Sequence, residues 1–141
     1  MRNLICVASM SALVLAVAAV ARTDAAADEP VPIKTVMKTL FAGKNTPKAA
    51  LTAAAKTDAP DWAKVKEASD KISKFVPELA RNAPPQGDRE SWDKLTKAIA
   101  ATAGDLKNAV EAEDVAKLHE TTKAIGGSCK ACHSVHRPKE D

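Results

Sequence analysis

Residues 126–137 read GGSCKACHSVHR, and this stretch decides how the rest of the chain is interpreted. Cys129 and Cys132 lie three positions apart and His133 follows directly, so the pattern is CxxCH. Cysteines and histidines this close together are able to hold a metal ion, form a redox-active disulfide or attach a haem. The fold class and the cellular compartment separate these alternatives.

The first 27 residues predict export. They begin with MRN, continue with an apolar run of signal-peptide length and end in small residues, with an A-x-A site at Ala25-Ala26-Ala27. We therefore expect a signal peptide over 1–27 and a mature periplasmic domain over 28–141, with no membrane segment after cleavage. A retained membrane anchor is the alternative, although the apolar run is short for a spanning helix.

The composition of the mature chain excludes some partners. Without Arg2, Arg22 and Asp24, 19 basic and 17 acidic residues remain. A net charge this close to zero leaves no strong basic stripe, so nucleic acid is not expected as a partner. The chain has two Phe, two Trp and no Tyr. A core this poor in large side chains gains from a bulky apolar ligand held inside it.

Hydrophobic periodicity predicts helices and no strands. Apolar residues recur at steps of three and four over 62–79, 92–109 and 115–136, whereas period-two alternation is absent. A shorter apolar segment over 33–41 is interrupted by GKNTP, after which a short helix over 48–56 follows. We therefore predict an all-α protein, an antiparallel four-helix bundle whose first helix is broken.

Capping residues support these boundaries. Thr46 precedes Pro47, which suits the first position of a helix. Asp58 and Asp61 stand at the start of the second long helix. Asp88 ends the helix-breaking stretch NAPPQGD and is expected to cap the third.

The alternatives for CxxCH now differ in how well they fit. A thioredoxin-type redox motif belongs to a βαβ context, which this chain lacks. Zinc is awkward because Cys132 and His133 point about 100° apart on a helix, so consecutive ligands do not easily enclose one ion tetrahedrally. A bundle without haem that carries a Cys129–Cys132 disulfide stays open as a third alternative.

CxxCH is the attachment signature of c-type haem. Two thiols one helical turn apart are placed to bond the two haem vinyl groups, and the following histidine lies under the iron as proximal ligand. One covalent haem c, held by Cys129, Cys132 and His133, is therefore the favoured interpretation. Gly126 and Gly127 either let the macrocycle approach the backbone closely or merely loosen the helix.

A four-helix chain with GSCKACH near its C-terminus and Arg137 four residues after the histidine resembles the class II cytochromes c, the cytochrome c′ group. GDRESWDKL at the start of the third helix matches more loosely. The resemblance covers residues 33–137. It implies haem between the helices near one end, its proximal face toward the last helix and its distal face toward the first. It also implies homodimers formed through the first two helices, a pattern from which the broken first helix here departs.

The resemblance makes the sixth iron position the deciding question. The family includes members with a methionine ligand, which transfer electrons, and five-coordinate members, which bind small gases such as nitric oxide. Met37 is the only methionine after residue 27 and lies on the inward face of the first helix. His119 and His136 lie on the same helix as His133, so neither easily crosses the haem plane. Met37 is thus the predicted distal ligand, the alternatives being a core methionine beside an open iron and, more weakly, Lys44.

The predicted function follows from this ligand pair. We expect a monohaem cytochrome with His133 and Met37 as axial ligands, a carrier of electrons between redox partner proteins rather than an enzyme. A five-coordinate binder of small gases is the alternative. Lys34, Lys38 and Arg137 are candidates for contact with the haem edge or its propionates, while solvated side chains are the simpler interpretation of the two lysines.

Overall fold

The computed structural model describes residues 28–138, and the predicted signal peptide over 1–27 lies outside the described residues. Within that range the chain forms five helices and no strand, which confirms the all-α prediction. The helices are α1 (Ile33–Phe41), α2 (Pro47–Ala54), α3 (Trp62–Arg81), α4 (Arg89–Glu111) and α5 (Val115–His136). α1 and α2 are the two parts of the broken first helix. None of the five is long and apolar enough to cross a bilayer.

The helices begin where capping side chains predict. The side chains of Thr46, Asp61 and Asp88 each accept a hydrogen bond from the backbone N–H three residues on, at the starts of α2, α3 and α4. Asp114 does the same for α5. Of the two aspartates proposed for α3, Asp61 is the cap, and Asp58 lies exposed in the preceding loop.

The bundle is built by successive antiparallel packing. α3 packs against α4 and α4 against α5, while α1 and α2 cover α3. Its largest fully buried side chains are Trp92, Leu40, Leu51, Ile72, Leu106, Leu118 and Ile125. Among the described helices, α1 packs on α2 and α3 but not on α5. α2 does contact α5, so the bundle is open only between α1 and α5.

Trp92 locks the turn between α3 and α4. Its side chain is 2% exposed, and its indole N–H donates to the carbonyl oxygens of Leu79 at 3.1 Å and Asn82 at 3.0 Å. The ring also meets the imidazole of His136 edge-on, with the ring centroids 5.2 Å apart. One buried side chain thus joins the end of α3, the start of α4 and the end of α5.

A second set of contacts pins the segment before α1 to the end of α3. The backbone N–H of Val31 donates to Glu78 Oε2 at 3.0 Å, and Asn82 Nδ2 donates to the Val31 carbonyl at 2.9 Å. Arg81 bonds Glu78 at 2.9 Å and also reaches the carbonyl of Asp28. The Val31 N–H and the Arg81 guanidinium together hold the pKa of Glu78 below its usual value. The stabilisation that Glu78 provides is therefore lost only when the pH falls through this lowered pKa.

We expect Trp92→Phe to lower the free energy of unfolding by about 0.5–1.5 kcal/mol, because the carbonyls of Leu79 and Asn82 lose the indole donor that they share. Urea denaturation followed by circular dichroism measures the change. Trp62→Phe is the matched control, since Trp62 is only half-buried at the start of α3. Equal losses in the two variants would show that the Trp92 hydrogen bonds contribute little.

Candidate functional site

A cleft opens between α1 and α5, toward the end of the bundle where α3 and α5 finish. It contains about 450 Å³ of space not occupied by atoms, part of it open to solvent. Four helices contribute to its walls, which we call the α1–α5 cleft. The lining residues are Met37, Phe41, Leu79, Leu95, Thr96, Ile99, Ser128, Cys129, Cys132 and His133.

All three residues of the CxxCH chemistry line this cleft. Cys132 is half-buried and packs against the hydrophobic core, while the thiol of Cys129 donates to the Ile125 carbonyl at 3.5 Å. Both are free thiols in the described part of the chain. Burial, with a smaller effect from Cys129, raises the pKa of the Cys132 thiol. A raised pKa is the opposite of what a thioredoxin-type redox cysteine needs.

The zinc alternative finds no support in residues 28–138. Within this range no three His, Cys, Asp or Glu side chains come together in a way that could hold a metal ion. His136, the fourth ligand such a site would use, is buried elsewhere. The polypeptide alone therefore supplies no closed metal cage, and the cysteines and His133 face a cleft that needs a larger occupant.

His136 has a structural role instead. Its Nδ1 lies 2.7 Å from the Gln86 carbonyl oxygen, so Nδ1–H donates and Nε2, at 3.1 Å, accepts from the Ser91 hydroxyl. Gly87 has a φ of +77°, and a Cβ there would lie 3.0 Å from His136 Nδ1. Both ring nitrogens are occupied, which leaves His133 as the histidine of this turn that faces the cleft.

The opposite wall of the cleft comes from α1 and is apolar. Met37 and Phe41, one helical turn apart, both line it. The two hydroxyls in the lining are satisfied within their own helices, because Thr96 donates to the Trp92 carbonyl at 2.9 Å and Ser128 to the Ile125 carbonyl at 2.7 Å. Apart from the two thiols, the Met37 sulfur and the His133 imidazole are the iron-binding groups in this lining.

The remaining candidates lie outside the lining. Lys34 and Lys38 are exposed on α1, and Lys44 is exposed in the loop after it. Arg137 follows the last residue of α5, where its backbone N–H donates to the His133 carbonyl at 3.4 Å. Contact of Lys34, Lys38 or Arg137 with a haem edge stays a prediction.

The glycines before the motif leave room beside α5. Gly126 and Gly127 are exposed, and a Cβ on either would meet no atom within 4 Å. Sequence reasoning placed them on the face that a macrocycle would approach, and this open space is compatible with that position.

Periodicity missed part of the lining. Leu79 and Ile99 were on predicted inward stripes, but Thr96 and Ser128 were not identified. Both face inward because each hydroxyl bonds a carbonyl of the preceding turn. A hydroxyl satisfied in this way can lie against apolar side chains. A serine or threonine one turn from a core position is the signal that could have identified them.

The cleft fits a haem by the chemistry of its walls. Two thiols and an imidazole lie on one side, a thioether on the other, and apolar side chains between them. Residues 87–137 match the family model described as Cytochrome C', which spans the end of the loop before α4, both last helices and the CxxCH motif. This segment, which carries the CxxCH motif, is similar to the class II cytochromes c. Comparison with curated proteins and with solved structures found no match.

The match over residues 87–137 supports a haem-binding cytochrome. The matched segment contains the predicted attachment residues, His136 and its partner Ser91, while Gln86 lies just before it. The other wall of the cleft, with Met37, lies outside the matched segment, so the distal side rests on the structure of this chain.

We expect His133→Ala and His136→Ala to have opposite effects. His133→Ala should abolish normal iron ligation, because the exposed imidazole faces the cleft. His136→Ala should keep the absorption spectrum but lower the free energy of unfolding by about 2–4 kcal/mol, since it leaves a cavity and two unpaired polar groups. Spectra and urea denaturation of both proteins provide the comparison. A spectral collapse in the His136 variant would show that the wrong histidine has been assigned to the iron.

Proposed function

We propose that this protein is an exported c-type cytochrome that carries single electrons through one covalently bound haem, with His133 and Met37 as axial ligands. One observation carries the proposal: Met37 and His133 line the same cleft from two helices that do not pack on each other. An axial pair has to come from opposite sides of the haem. Among the residues lining the cleft, these two meet that requirement.

The two cysteines and the histidine of the motif would have separate roles. Cys129 and Cys132, one helical turn apart, would hold the haem edge against α5, and His133 would hold the iron. The bound haem supplies the one-electron iron couple. The apolar walls formed by Phe41, Leu95 and their neighbours exclude water and lower the local dielectric, which tunes the potential.

Methionine opposite histidine favours an electron-transfer role, because this pair raises the reduction potential relative to an open site. The protein therefore needs redox partner proteins, which would approach the exposed side of the cleft. Lys34, Lys38 and Arg137 are the residues we propose for contact with the propionates or the haem edge.

A second candidate is a five-coordinate protein that binds small gases. The observations in its favour are the apolar α1 wall of the cleft and the hydroxyls of Thr96 and Ser128, which are already bonded within their own helices. In that case Met37 packs against the core beside an open iron, and a small uncharged gas enters without needing a hydrogen-bond donor. The state of Met37 separates the two candidates.

Covalent attachment is tested by acid–acetone extraction of the purified protein. We expect the haem to stay with the polypeptide, and Cys129→Ala combined with Cys132→Ala to release it. The double variant should also fold poorly, because the remaining core is small and the cleft loses its occupant. Ser128→Ala is the control in the same turn. Haem extracted from the unmodified protein would exclude the thioethers.

Met37→Ala tests the axial ligand. If the sulfur binds the iron, the unmodified ferric protein should be low-spin, with a weak near-infrared sulfur-to-iron band, and carbon monoxide should bind the reduced form slowly. The variant should be high-spin and bind the gas readily, because no other methionine of the predicted mature chain can replace Met37. Thr35→Ala, an exposed change on the same helix, is the control. An unmodified protein that is already high-spin would favour the gas-binding candidate.

A further inference from the structure

We infer that Glu78 and Asn82 are positioning residues. By bonding the N–H and the carbonyl of Val31, they fix how far along the axis of α1 the Met37 side chain lies. This rests on the proposed function, because the position of Met37 matters most when its sulfur binds the iron. Glu78 accepts the Val31 N–H at 3.0 Å, and Asn82 donates to the Val31 carbonyl at 2.9 Å. We call these two contacts the Val31 clamp.

Further contacts hold the Glu78 and Asn82 side chains of the Val31 clamp in place. The Glu78 side chain is only 18% exposed and is shared with Arg81, so its carboxylate is oriented from two directions. Asn82 Nδ2 also donates to the Glu78 carbonyl at 2.7 Å. Hydrogen bonds that involve a charged group are about twice as strong as neutral ones.

The connection from the clamp to Met37 is stiff. Pro30 and Pro32 flank Val31, and each proline fixes its own φ and restricts the residue before it to extended conformations. Pro32 is the N-cap of α1, and its carbonyl accepts the backbone N–H groups of Thr35 and Val36. From Ile33, the first residue of α1, to Met37 the distance along the helix axis is about 6 Å, at a rise of 1.5 Å per residue.

The packing of α1 fixes its rotation, and the Val31 clamp fixes its position along its own axis. Val36 and Leu40 are fully buried and fix the rotation of the helix, which turns Met37 toward the cleft. Apolar contacts are non-directional, so they oppose sliding along the axis only weakly. α1 has nine residues and packs on α2 and α3 but not on α5. A helix this short is not stable alone, so directional bonds at its start have a large effect.

Glu78→Ala in the full haem-loaded protein tests the inference. We expect carbon monoxide to bind the reduced form about tenfold faster than in the unmodified protein, from the loss of one charged hydrogen bond. A high-spin ferric fraction should appear, and the Val31 amide should exchange faster with solvent. Glu78→Gln should restore most of the unmodified behaviour, because its amide oxygen still accepts from Val31.

Glu67→Ala is the matched control, since Glu67 is an exposed carboxylate on the same helix paired with Lys71 at 2.7 Å. It should leave the gas rate unchanged. Should Glu78→Ala fail to fold, Asn82→Ala is the second test. It removes the Nδ2 donor to the carbonyls of Val31 and Glu78 but leaves the Glu78 carboxylate on the Val31 N–H, and it should speed gas binding severalfold.

The inference is overturned if the Val31 amide exchanges faster while the gas rate and spin state stay as they were, since the clamp would then be purely structural. A low-spin unmodified protein with this outcome keeps the proposed function and removes only the role of the clamp. A high-spin unmodified protein removes the methionine ligation first and the clamp's role with it.

Discussion

The gap between α1 and α5 is the constraint on which the structure depends. A bundle with a small aromatic content packs most of its helices together with aliphatic side chains, and α2 meets α5, but α1 does not close onto α5. The residues on both sides of the gap are those able to hold a haem. An occupant of the cleft would therefore complete the core as well as provide the chemistry, because its apolar surface replaces the missing helix contact.

Two hydrogen-bond networks stiffen the end of the bundle around this gap, and Asn82 belongs to both. Its side chain holds the Val31 carbonyl on the α1 side. Its own carbonyl accepts the indole N–H of Trp92, which in turn contacts His136 at the end of α5. The two walls of the cleft, which do not pack on each other, are thus tied through one residue after α3. Hydrogen-bond networks of this kind hold side chains on separate helices in a fixed relative position.

Much of this fold could be predicted from the sequence, because the signals were local. The helices followed from periodicity and the caps at Thr46, Asp61 and Asp88 from side-chain chemistry, while the haem site proposed from CxxCH stays a prediction. The hydrogen bonds of Glu78 to Val31 and of His136 to Gln86 could not be predicted. They join positions about fifty residues apart. Sequence periodicity does not indicate which residue a polar side chain near a helix end will bond.

The break in the first helix links these observations to function. A continuous helix would couple the distal wall to all the contacts that α2 makes, whereas GKNTP leaves α1 with its own buried pair, Val36 and Leu40, and the bonds before it. The CxxCH wall belongs to a helix of 22 residues that is fixed at its end by His136. Local stability follows local contacts. The α5 wall is therefore the more firmly held side of the cleft, and in the proposed cytochrome the position of α1 would decide whether the iron has a sixth ligand or an open face.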